Sequence, residues 1–310
     1  MIKRCLGVAV GGVAIFAFAR ELFKISMCRG DKQWLSGFVN LEKEEKCLDD
    51  ALNKEKSDID NWLAEVKKQE LKIPLKSGGE LFARTYKNKG HKWAVVVHGY
   101  GVEGSCMLYA AKRFYEKGYN VLVPDLRSHG KSSGNYIGWG WRDRQDIRAW
   151  CRLLNKKDKQ AKIMLYGVSM GGAAVLMAAG EGIEGCTCVV ADCAYTSVKD
   201  IMAYRIRRML HLPPWVVMFW LKPVCKKYMK LPIEAASVVE SVKKCHVPVM
   251  LCHGDRDRFV PTDSALELYA AANSPKRIML VHGSGHGVAA FVAGEKYWQR
   301  VFDFSERFAK

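Results

Sequence analysis

From Leu71 onward, short and nearly continuous apolar runs alternate with longer stretches whose apolar residues recur at helical spacing. The runs are Trp93–Val97, Val121–Pro124, Ile163–Tyr166, Thr187–Ala191, Val247–Cys252 and Ile278–Val281. At four to six residues each they read as strands, and a strand without polar alternation is one covered on both faces. Helices are expected between them, at about Met107–Lys117, Asp143–Asn155, Ala173–Gly180 and Asp263–Ala272, with a last one from Glu295. The alternation predicts an α/β fold with a mostly parallel central sheet and helices on both faces. Before it, Leu71–Lys76 and Leu81–Tyr86 flank Ser77-Gly78-Gly79, the pattern of a β-hairpin.

The N-terminal seventy residues have a different texture. After Lys3-Arg4 comes an uncharged run from Cys5 to Ala19, ended by Arg20. Fifteen helical residues cover about 22 Å, short of the roughly 30 Å of a bilayer's hydrocarbon core. Residues 1–24 form an uncleaved membrane anchor if Leu22 and Phe23 extend the run while Arg20 and Glu21 snorkel. The Ala17-Phe18-Ala19 triplet also fits a cleaved signal peptide, and a buried helix is the third reading. Lys3-Arg4 favours an inside N-terminus and an extracytoplasmic enzyme, although Arg20, Lys24 and Arg29 put positive charge on the other flank too. Residues 25–69 are expected to form a helical arm, with Leu48, Ala51, Leu52, Ile59, Trp62, Leu63 and Val66 at helical spacing. Ser57–Asp60 reads as a cap between two helices, and nothing in the arm carries chemistry.

Composition narrows the class. Of 310 residues, 49% are hydrophobic, which excludes disorder and allows one large domain over residues 70–310. The eleven cysteines are odd in number and include no C-x-x-C pair, so neither a zinc ribbon nor a redox motif is indicated. Buried, mostly reduced thiols are expected, Cys193 and Cys252 among them.

The chemistry is concentrated after three of the strands. Strand Ile163–Tyr166 runs into Gly167-Val168-Ser169-Met170-Gly171, a G-x-S-x-G sequence, and then into an alanine-rich helix. In that strand–turn–helix setting the tight turn lifts a serine hydroxyl above the sheet. A serine nucleophile needs a base, and the base an orienting acid, each at the end of a later strand. Strand Val247–Cys252 leads to Asp255 and Asp257, and strand Ile278–Val281 leads to His282 and His286. Asp192 is a more distant acid, while His98, His129, His246, His253 and His282 read as structural.

These landmarks resemble an α/β-hydrolase, within the serine aminopeptidase-like group that is also similar to prolyl oligopeptidase catalytic domains. The similarity extends over roughly residues 70–308 and is greatest to N-terminally anchored hydrolases of Gram-positive bacteria. It rests on His98-Gly99-Tyr100-Gly101, Asp125-Leu126-Arg127-Ser128-His129-Gly130-Lys131-Ser132, the serine turn, Asp255–Pro261 and Gly285-His286-Gly287. The chain departs from the family at Ser128, where glycine is usual, in a loop outside the catalytic residues. The resemblance implies Ser169 as nucleophile, His286 as base and, by its H-G-x-x-D-x-x-V-P spacing, Asp257 as acid in preference to Asp255. It also implies an oxyanion hole from the Met170 and Tyr100 amides, with His98 bracing the loop and neither cofactor nor metal required.

More than fifty residues separate Asp192 from Val247, too many for a crossover helix, and the resemblance makes them a helical cap at about 196–243. Within it, residues 201–230 hold seven Lys and Arg and no acid, interleaved with Tyr204, Trp215, Phe219, Trp220 and Tyr228. The chain's net charge of +17 is therefore uneven, since residues 1–69 contribute only +1. Cations among aromatics fit a solvated cap face, a membrane surface or an anionic substrate, and no nucleic-acid-binding module accompanies them. The expectation is a serine hydrolase acting on an acyl ester, lipid or peptide, associated with a membrane. An acyltransferase or a non-catalytic binding protein on the same scaffold stays open.

Overall fold

The structure, a computed structural model, describes residues 17–18, 20–30 and 42–308. The N-terminal anchor or signal proposed for residues 1–24 therefore lies mostly outside the described residues. Among the described residues, no helix is long and apolar enough to cross a membrane.

Eight strands form one sheet: β1 (Lys68–Pro74), β2 (Glu80–Tyr86), β3 (Lys92–Val97), β4 (Asn120–Asp125), β5 (Lys162–Val168), β6 (Cys186–Asp192), β7 (Val249–Gly254) and β8 (Lys276–Val281). Their spatial order is β1-β2-β4-β3-β5-β6-β7-β8. The β1–β2 hairpin and the β2–β4 pairing are antiparallel, and every later pairing is parallel. The near-continuous apolar strands thus sit where both faces are covered, in keeping with the expected α/β-hydrolase architecture. One face carries Ile147, Trp150, Leu154 and the alanines of the helix after Ser169. The other carries Phe114, Tyr166, Tyr297, Trp298 and Phe302.

Two N-terminal helices are described: α1 at residues 20–27 and α2 at Glu42–Glu65. α2 is continuous through Ser57–Asp60, which the sequence suggested as a cap between two helices. The reason is packing. Ile59 and Trp62 are buried against the second core, Trp62 lies 4.8 Å from the Tyr86 ring, and Asp58 pairs with Lys112 at 2.6 Å. α1 differs from expectation more sharply. Leu22 and Phe23, read as an extension of an apolar run into a membrane, pack on the core of the sheet domain instead. Phe23 is 5% exposed and Met27 is 1% exposed, and burying a side chain of this size contributes about 2 kcal/mol.

The remaining helices fall close to the expected positions: α3 (Leu108–Glu116), α4 (Asp143–Lys157), α5 (Met170–Gly180), α9 (Asp263–Ala271) and α11 (Glu295–Phe308), the last preceded by the short α10 (Ala289–Ala293). The cap comprises α6 (Val198–Leu210), α7 (Pro214–Val224), a π-turn at Cys225–Met229 and α8 (Val238–Lys243). Ser197 and Ser237 cap α6 and α8 by accepting the Asp200 and Glu240 amides. The cap cations are not uniformly solvated: Lys222 pairs with Glu234, and the Arg205 guanidinium lies 3.4 Å over the Phe259 ring.

Candidate active site

The site is assembled at the C-terminal ends of β3, β5, β7 and β8, where loops leave a parallel sheet. Ser169 links β5 to α5 with φ +57° and ψ −118°. A strained backbone of this kind persists only where its surroundings enforce it. The enforcement comes from the two glycines. A Cβ on Gly167 would fall 2.4 Å from the Gly171 carbonyl oxygen, and one on Gly171 would fall 2.4 Å from the Val97 oxygen. No other residue permits the close approach of β3, β5 and α5 that aims the hydroxyl out of the sheet.

Three sequence-predicted residues meet there. His286 Nε2 is 2.8 Å from Ser169 Oγ, and His286 Nδ1 is 2.7 Å from Asp257 Oδ2. Asp257 Oδ1 accepts the amides of Phe259 and Val260, each at 2.8 Å. Burial pushes the Asp257 carboxyl upward, but the charge of His286 and hydrogen bonds from His253 and His286 outweigh it and hold the group ionised. Asp255 is elsewhere: its carboxylate takes His282 Nδ1 and the Gly283 amide at 2.7 Å, and His282 is an exposed surface residue. Asp192 is buried, and its carboxylate accepts from the Tyr297 hydroxyl at 2.8 Å.

The two expected amide donors flank the serine. Met170 opens α5, and the first N–H of a helix has no acceptor within it. Tyr100 lines the same cavity as Ser169 and Met170, on a loop whose Gly99 abuts Ser169. His98 fixes that loop. Its Nε2 accepts the Leu126 amide at 2.8 Å, so Nδ1 carries the proton and donates to the Gly99 oxygen at 2.7 Å. Burial lowers its pKa to about 4, keeping the ring neutral. His129 adds a second brace by accepting the Gly101 amide at 3.2 Å.

Ser169 opens on an apolar cavity of about 90 Å³, walled by α1, the Tyr100 loop, α6 and the Phe259–Val260 segment. On the other side of His286 lies an open cleft of about 1240 Å³, lined by the charged Arg113, Asp255, Arg256 and Arg258 and by the apolar Tyr109, Phe291 and Trp298, with Asp50 and Lys54 of α2 at its edge. The imidazole stands between the two spaces.

Several contributors were not read from the sequence. Phe259 stacks on His286 with ring centroids 4.7 Å apart, and Arg205 in turn covers Phe259. His253, expected to be structural, places Nε2 3.1 Å from Asp257 Oδ2 and 3.1 Å from the Val260 oxygen. Both Phe259 and His253 belong to the stretch that carries Asp257, so their positions were available. Leu22, Ser26 and Met27 had no such signal. Among the described residues, one group brings three metal-ligand atoms within 4.8 Å of one another: Cys193, Asp257 and His286. Cys193 fits poorly as a ligand, because burial and the neighbouring carboxylates hold its thiol far above the ordinary range.

A model of the prolyl oligopeptidase family matches residues 106–310, about two thirds of the chain. Among curated proteins, the uncharacterized protein YqkD of Bacillus subtilis is 26% identical over 219 residues, covering 68% of this chain and 70% of its own length. The uncharacterized protein YfhR of Escherichia coli is 25% identical over 218 residues, covering 68% and 69%. Of solved structures, the esterase Pf2001 of Pyrococcus furiosus superposes with a TM-score of 0.65 at 23% identity, covering 82% of this chain and 96% of that one. The acylaminoacyl peptidase of Pyrococcus horikoshii gives 0.57 at 19% identity, over 79% of this chain and 42% of the other. At these identities the superpositions show the α/β-hydrolase fold.

Proposed function

This chain belongs to the prolyl oligopeptidase family and is a hydrolase, and we propose that it cleaves short-acyl esters through an acyl-enzyme formed on Ser169. The supporting observation is the unbroken hydrogen-bonded line Ser169–His286–Asp257 opening on an apolar cavity. Ser169 Oγ attacks the acyl carbon as its proton passes to His286 Nε2, and Asp257 stabilises the resulting imidazolium. The carbonyl oxygen gains a negative charge and takes hydrogen bonds from the Met170 and Tyr100 amides, one such donor being worth about 10²–10³ in rate. Collapse breaks the bond to the leaving alkoxy group, which receives the proton from His286 and departs towards the open cleft. Water then attacks the acyl-enzyme by the same route, releasing the acid and restoring Ser169.

A series of p-nitrophenyl esters and aminoacyl anilides tests the assignment. Turnover of acetate and butyrate esters that disappears in Ser169→Ala is the expected result. Anilide cleavage without ester cleavage replaces it with a peptidase.

We also propose that the cap docks on an anionic membrane surface. α7 buries Val217, Met218 and Leu221 yet leaves Trp215 and Phe219, one turn apart, 74% and 67% exposed. Leu212, Tyr228 and, from the N-terminal segment, Phe18 are exposed as well. Arg207, Arg208, Lys226 and Lys227 are exposed on the same cap. Aromatics with cations around them suit an interface with anionic headgroups. Sedimentation with phosphatidylglycerol vesicles, and loss of it in the double variant Trp215→Ser, Phe219→Ser, is the expected behaviour. Equal sedimentation of the variant would show that the cap aromatics do not hold the chain on the membrane.

A further inference from the structure

The cavity at Ser169 is closed by a part of the chain that precedes the catalytic domain. Leu22, Ser26 and Met27 of α1 line it together with Ser169 and Met170. α1 lies outside the 106–310 region matched by the family, so the wall it supplies is an addition to that region.

This wall is fastened at several points. The Tyr100 hydroxyl donates to the Ser26 carbonyl at 2.8 Å, tying α1 to the loop that carries the expected oxyanion donor. The Ile137 amide donates to the Met27 carbonyl and the Arg29 amide to the Asn135 carbonyl, each at 2.7 Å. The Arg29 guanidinium holds the Ser132 and Gly130 carbonyls at 2.6 Å. Phe23 is buried between the Tyr136 ring, at 5.8 Å, and the Tyr228 ring of the cap, at 6.2 Å. A segment with this many directional contacts keeps its side chains in place, as a specificity pocket requires.

We propose that α1 is a specificity-determining wall of the acyl pocket, in which Leu22 and Met27 limit the length of the acyl chain that Ser169 accepts. It rests on the acyl-enzyme reading given above. The cavity, at about 90 Å³, is smaller than the roughly 150 Å³ engineered cavity that holds benzene. Short aliphatic acyl groups fit it, and longer ones meet α1. Truncating a wall residue leaves space that added methylenes fill, and each methylene in an apolar pocket changes discrimination by about tenfold or more.

The test compares kcat/KM for p-nitrophenyl acetate, butyrate, hexanoate and octanoate in the full chain, Leu22→Ala, Met27→Ala and Leu22→Trp, with fluorophosphonate labelling of the wild type alongside. Leu22 is only partly buried, so its variants give an answer even if Met27→Ala fails to fold. Thermal unfolding identifies the folded variants. The expected result is a rise of at least about tenfold in the octanoate-to-butyrate ratio for the alanine variants and a fall for Leu22→Trp. A labelled wild type with the same chain-length preference in folded variants overturns the role of α1 alone. An unlabelled wild type overturns the hydrolase reading and this one with it.

Discussion

The ring of Phe259 lies against the imidazole of His286, with centroids 4.7 Å apart and planes 22° from parallel. Phe259 is itself covered by the Arg205 guanidinium at 3.4 Å, so a cap residue reaches His286 through one intervening ring. The stack fixes the imidazole plane while the bond to Asp257 fixes its rotation. An aromatic pair contributes about 0.5–1.5 kcal/mol beyond the area it buries. Phe259→Leu is therefore expected to lower kcat by roughly three- to tenfold. An unchanged kcat would show that the Asp257 bond alone orients His286.

Two neighbouring aspartates make opposite predictions. Asp257 bonds His286, and Asp255 bonds His282 on the surface. Asp257→Asn removes the acceptor that holds the imidazole tautomer and is expected to reduce kcat by on the order of 10³–10⁴. Asp255→Asn breaks an exposed pair and is expected to leave kcat within about twofold. Steady-state kinetics of the two purified variants compares them directly, and the reverse ranking would contradict the assignment.

The architecture and the three central residues were legible in the sequence because each was written locally. Apolar runs without alternation specify covered parallel strands, and the glycines around Ser169 specify the tight turn that joins β5 to α5 beside β3. Ser128 shows the same logic in a departure: it takes φ +67° where the family usually has glycine, and its hydroxyl donates to the Tyr136 carbonyl at 2.8 Å. What could not be read depends on distant partners. Phe23 and Met27 are apolar residues in an apolar neighbourhood, and only Tyr136 and Ile137, more than a hundred residues away, decide that they face protein. The continuity of α2 across Ser57 was hidden similarly, since the packing of Ile59 and Trp62 on the second core overrides a local cap signal. His253 reads as the end of a strand, and its bond to Asp257 exists only because the chain turns back after Gly254.

Asp143 provides a pH dependence. It is fully buried beside Asp146, accepts the Gly140 amide at 2.7 Å and leaves Oδ1 without a partner. Burial first, and the Asp146 charge second, raise its pKa from 3.8 to about 7. Folding thus favours the protonated acid, and the stability this site contributes is complete below about pH 4 and lost as pH rises through 7. Asp143→Asn keeps an acceptor for Gly140 but cannot ionise. Thermal melts between pH 4 and 8 are expected to show the Tm of the variant gaining on the wild type by at least about 3 °C over that range. Parallel curves would show that Asp143 is already ionised in the fold.

Reaction of the folded chain with a fluorophosphonate, followed by intact and peptide mass spectrometry, reads out the nucleophile itself. One covalent adduct per chain is expected, located on Ser169, absent in Ser169→Ala and formed on the order of 10³ or more times more slowly in His286→Ala. A folded wild-type chain that takes up no label, or carries it at another residue, would contradict it.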